Sequence, residues 1–85
     1  MYRSVKKVMS HENYTLLIEF DNGEKRTLDL KPYLDFGVFR RLKSPGAFQR
    51  VRVSFDTVEW DCGVDLDPEF IYEKSTETES AQQIV

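Results

Sequence analysis

Only one of the 85 residues is cysteine and only one is histidine. A single thiol, Cys62, excludes an internal disulfide framework and fits a reducing compartment. Long apolar runs are missing too, so no transmembrane helix is expected. The opening MYRSVKKVMSHEN lacks the apolar block of a secretory signal. A cytoplasmic protein without membrane contact is therefore expected. Cations are scarce in one half of the chain. Residues 1–52 carry 11 basic and 6 acidic side chains, and residues 53–85 carry one and nine. Such a chain can pair its halves, associate head to tail, or simply keep two solvated faces.

What is present suffices for one small domain. An 85-residue chain buries only about 60% of the surface that its unfolded form exposes. Aromatics make up 13% of the residues and supply much of the available core area. The densest information lies between Val51 and Tyr72. Val51, Val53 and Phe55 alternate with Arg52 and Ser54, the period-2 pattern of a half-buried strand. Val58 and Trp60 continue the rhythm after Asp56-Thr57, so a second strand returns. Asp-Thr is poor in a two-residue turn, because threonine resists positive φ, and a longer loop is expected there. Asp67-Pro68-Glu69 reads as a helix start, with N-cap, first-turn proline and an acid at the positive end of the dipole.

Upstream, Arg3 to Met9 is an imperfect edge strand, with Val5 and Met9 on one face and Val8 on the other. Tyr14, Leu16, Ile18 and Phe20 share one face of the clearest strand. Asn22-Gly23 is a strong hairpin signal before a return strand over 24–30. Tyr33, Leu34 and Phe36 are expected to cover core surface. Val38, Phe39 and Leu42 recur at helical spacing, with Arg40, Arg41 and Lys43 outward. Pro45 ends that helix, and a further turn carries Phe48 inward. The expected fold is α+β. A small antiparallel sheet of about five strands (β-β-β-α-β-β) carries one short amphipathic helix and a short C-terminal helical turn. Residues 1–74 form the domain, and 75–85 a polar, disordered tail.

Chemistry is harder to find. Asp61, Asp65, Asp67 and Glu69 suggest a cation site, but calcium loops place acids at alternate positions around a central glycine, and this register is absent. Asp67 is better explained as a cap and Asp61 as a turn residue. His11 and Cys62 form no dyad that spacing can support. No metal, cofactor or enzymatic activity is expected. Arg40, Arg41, Lys43, Arg50 and Arg52 form a candidate basic patch for nucleic acid. However, Phe36, Phe39 and Phe48 sit where they face the core, whereas single-strand binders expose their rings. Trp60 and Tyr72, with Asp65 and Glu69 beside them, are the candidate partner-binding residues, because large amphipathic rings anchor interfaces. The competing role for both rings is closing the core.

One resemblance spans residues 3 to about 74. It rests on Phe20-Asp21-Asn22-Gly23-Glu24, Asp29, Pro32-Tyr33-Leu34, Gly37-Val38-Phe39, Leu42 and Val51-Arg52-Val53. Trp60, Gly63, Asp65-Leu66, Pro68-Glu69 and Tyr72 complete it. In this order the chain resembles the small bacterial domain-of-unknown-function family twenty-four forty-two. The resemblance implies a compact α+β domain with no established catalytic residues. Many relatives have Trp-Pro where this chain has Trp60-Asp61-Cys62. Some carry a C-terminal helix-turn-helix domain, which is not expected here. Many are encoded beside another small protein, as in toxin–antitoxin pairs. The leading expectation is thus a protein-interaction module, antidote-like or regulatory, for a small neighbouring-gene protein. The chain itself is expected to be monomeric or weakly homo-oligomeric. A nucleic-acid-associated regulator using residues 40–52 is the alternative.

Overall fold

The structure, a computed structural model, describes residues 4–78. Three strands open the chain: β1 (Val5–His11), β2 (Thr15–Phe20) and β3 (Lys25–Asp29). A helix α1 (Pro45–Gln49), the hairpin β4 (Val51–Ser54) and β5 (Thr57–Trp60), helix α2 (Pro68–Lys74) and a short β6 (Thr76–Glu77) follow. All pairings are antiparallel, and the class is α+β. The strands divide into a four-stranded sheet ordered β1-β2-β3-β6 and a separate β4-β5 ribbon.

Alternation assigns the faces of β2 correctly. Leu16, Ile18 and Phe20 are fully buried and pair with neighbours that share their face. The β2–β3 turn uses three residues, not two. Phe20 N–H donates to Glu24 O at 2.8 Å, Gly23 N–H returns to Phe20 O, and only Gly23 takes positive φ, at +88°. Asn22 Oδ1 accepts from Glu24 N–H and braces the loop. In β1 the register shifts between Val5 and Lys7, so Val5 faces Phe20 while Val8 faces Ile18. This bulge puts Val5 and Val8 on the same inner face, against the expectation from strict alternation. An extra residue in one strand moves everything beyond it to the other side.

The connector differs from expectation as well. Residues Gly37–Leu42 form a 3₁₀ helix, which has three residues per turn. Leu42 is buried and Phe39 half-buried, but Val38 points outward and Phe36 is 66% exposed. Phe48 on α1 goes inward as its spacing implies. After β5 the chain reverses through Asp61–Gly63, where Gly63 has φ +95°. It then runs back along β5, with Val64 O accepting from Trp60 N–H and Leu66 N–H reaching Val58 O. Val64 and Leu66 therefore enter the core while Asp61, Asp65 and Asp67 face water. Trp60 sits among these groups, fully buried, its Nε1–H donating to Phe48 O at 2.9 Å.

The chain past residue 74 is paired rather than loose as far as it is described. Thr76 and Glu77 pair with Thr27 and Arg26, and Ser75 is buried. Arg26 makes this possible by holding Ser75 Oγ and Ser75 O at 2.7 and 2.8 Å. The rest of the expected tail, 79–85, lies outside the described residues. Among the described residues no helix is long and apolar enough to cross a membrane, which says nothing of a β-barrel.

Candidate functional site

The β4–β5 turn departs most from sequence expectation. Ser54 pairs with Thr57, which leaves Phe55-Asp56 as a two-residue turn. Phe55 has φ +57°, and Asp56 is not in the left-handed region. Positive φ at the first central position alone is the type II′ arrangement, in which glycine is the usual occupant. A bulky side chain there costs about 1–3 kcal/mol. The ring recovers nothing from the core, being 97% exposed. Period-2 alternation points Phe55 inward, but the turn consumes this residue and turns its side chain out.

The tip is well fixed. Asp56 O accepts from Val5 N–H at 2.9 Å and Asp56 Oδ1 from Ser4 Oγ at 3.2 Å. Thr57 Oγ1 donates to Leu66 O. Beside the ring lies an open hollow of about 440 Å³ between the turn and the start of α2, walled by Asp56, Thr57, Asp67, Pro68 and Glu69. Asp67 caps α2 by accepting from Glu69 N–H at 2.7 Å. Phe55 is thus an apolar knob on a braced hairpin with three carboxylates beside it.

The residues singled out by sequence are dispersed. Trp60 is inside the core and offers a partner no surface. Tyr72 is half-buried, edge-on to Phe20 at 5.4 Å, under the Arg26 guanidinium at 4.1 Å. Its hydroxyl donates to Glu24, which also pairs with Arg26 at 2.8 Å. Partial burial opposes ionisation of Glu24. The hydrogen bonds from Arg26, Tyr72 and Asn22, with the Arg26 charge, together outweigh it and hold the carboxyl below its ordinary value. Asp65 is exposed, with its backbone bridged to Glu59, and Glu69 alone of the four stands at the Phe55 hollow.

The basic cluster is exposed, and the side chains of Arg41 and Arg52 reach the acidic half. Arg52 pairs with Glu59 and Asp61, Arg41 donates to Cys62 O, and Arg50 O accepts from Asp61 N–H at 3.4 Å. Lys43 pairs with Asp35, and its hydrogen bond and charge lower the Asp35 pKa. Arg40 donates to Asp35 O. The charge asymmetry of the sequence is thus partly resolved by contact between the two halves around the Asp61–Gly63 turn. Among the described residues no group of three or more His, Cys, Asp or Glu is placed to hold a metal ion.

The family described as "Protein of unknown function (DUF2442)" matches residues 5–77, nearly the whole of the described chain. Neither a curated protein nor a solved structure matches.

Proposed function

We propose that this chain, which belongs to the DUF2442 family, is a cytoplasmic protein-interaction module, a regulatory or antidote-like subunit that engages a second small protein through the Phe55 hairpin. One observation carries the reading: a phenylalanine held 97% exposed at a backbone position where glycine costs least. Strain of this kind persists where the surrounding structure imposes it, and it clusters at sites that act on something else. A buried aromatic anchor ringed by polar contacts is the usual core of an interface. The complementary surface is an apolar pocket rimmed by Lys or Arg, facing Asp56, Asp67 and Glu69. The single cysteine fits a reducing compartment.

A second reading has one observation in its favour. Phe36 is exposed next in space to the Arg40 segment, contrary to expectation, and an exposed ring beside guanidinium groups can stack on bases. Pairing of Arg41, Lys43 and Arg52 within the chain weakens it.

Both are tested by crosslinking and co-purifying the tagged chain from its native cell, comparing wild type, Phe55→Ser and the double variant Arg40→Glu/Arg41→Glu. The protein encoded beside it is the first partner to look for. A protein retained by wild type and reduced at least about tenfold by Phe55→Ser is the expected result, matching the loss of one hot-spot side chain. Equal retention by Phe55→Ser overturns the assignment. Nucleic acid that is lost only with the double variant favours the second reading.

A further inference from the structure

We infer that the surface Phe55 requires is present on this chain itself, so that two copies pair by reciprocal insertion of Phe55 into a groove on the outer face of the four-stranded sheet. The inference rests on the reading of Phe55 as an anchor and names the partner as a second copy.

The groove is an open apolar depression of about 600 Å³, within the range of about 300–1,000 Å³ typical of ligand clefts. Its floor follows from strand register. Met9 pairs with Leu17, so neighbouring positions of β1 and β2 present a thioether and an isobutyl group side by side. Met9 is 62% exposed and Leu17 half-buried, and Val53 on β4 adds a wall. Methionine adapts to an incoming ring and makes favourable sulfur–aromatic contacts. The adjoining row is charged. Lys7 pairs with Glu19 and Glu19 with Lys25, two cations to one carboxylate, while Arg52 on the β4 side is already paired with Glu59 and Asp61. The knob carries the opposite sign in Asp56, Asp67 and Glu69.

Knob and groove adjoin. Arg52 and Val53 belong to the strand that ends at the Phe55 turn, and Asp56 O is bonded to Val5 N–H at the start of β1, the strand that carries Lys7 and Met9. A two-fold axis along this edge lets both rings enter both grooves at once, a closed isologous pairing rather than an open chain. Opposed rims bring acids of one copy against cations of the other, which steers approach and weakens with salt.

Sedimentation equilibrium of the full chain, from micromolar to millimolar and at low and high salt, tests this. Wild type is expected to show a reversible monomer–dimer equilibrium whose Kd rises with salt. Phe55→Ser removes both knobs and Met9→Glu spoils both grooves; each raises Kd at least about tenfold. Both positions are exposed, and urea midpoints verify that the variants fold. An equimolar mixture of the two variants keeps one intact knob and groove per pair, and associates more tightly than either alone. Monomeric wild type overturns the inference and leaves Phe55 as an anchor for another protein, a role judged by capture. Association unchanged by Phe55→Ser, or a mixture no tighter than its components, also overturns it.

Discussion

Trp60→Ala is expected to leave a chain that does not fold. The indole is fully buried, tilted against Phe48 of α1 at 6.0 Å between ring centroids. Truncating a buried tryptophan costs about 3–5 kcal/mol through lost transfer energy and the cavity left behind. Phe48 O also loses its donor, and an unsatisfied buried carbonyl costs about 1–3 kcal/mol more. A domain of this length has a total stability of roughly 5–10 kcal/mol, so little or none survives. Near-UV circular dichroism and urea titration check the outcome. Trp60→Phe keeps most of the volume and should fold with a lower midpoint. A cooperative transition for Trp60→Ala near the wild-type midpoint contradicts the assignment.

Arg26→Ala is the second large effect, about 2–3 kcal/mol, in line with the loss of charge-assisted hydrogen bonds from a largely buried side chain. Only 14% of that side chain is exposed, and it joins Glu24, Tyr72 and Ser75. Its loss removes the side-chain tie between β3 and Ser75 ahead of β6 and takes the Arg26 charge away from the Glu24 carboxylate. The effect depends on pH in a definite direction. A depressed Glu24 pKa contributes stability that is complete above the unfolded value, ordinarily 4.5, and is lost as pH falls through the lower folded value. Wild type should therefore lose this contribution on acidification, and the gap between wild type and Arg26→Ala should narrow as pH falls below 4.5 and through the lower folded value. Parallel urea midpoints across this range contradict it.

Much of the fold was legible because β2, β3 and the α2 cap obey local rules. Leu16, Ile18 and Phe20 alternate with no interruption, and Asp67-Pro68-Glu69 places the helix start where the hydrogen bond to Glu69 N–H confirms it. Alternation failed where pairing is irregular. The bulge in β1 reversed the relation between Val5 and Val8, and tighter 3₁₀ winding turned Val38 outward. The division into two sheets depends on how β4 lies against β1, which no local pattern encodes.

The candidate site was less legible than the fold. Trp60 and Tyr72 were marked by size and amphipathic character, properties that suit a core and a polar network equally. Phe55 carries no such mark, because the same alternation that identifies β4 points it inward. Only the register Ser54 to Thr57 shows that the turn takes this residue, and register is a property of two strands together.

The central claim is that the Phe55 ring does nothing for the fold and is held outward for something beyond it. Urea denaturation of Phe55→Gly beside wild type tests it directly. Glycine relieves the φ +57° strain at the cost of a more flexible unfolded chain. The predicted result is an unchanged slope and a midpoint raised by the equivalent of roughly 1 kcal/mol. A fall of about 3–5 kcal/mol, the loss typical of a buried phenylalanine, would contradict the account and return the ring to the core.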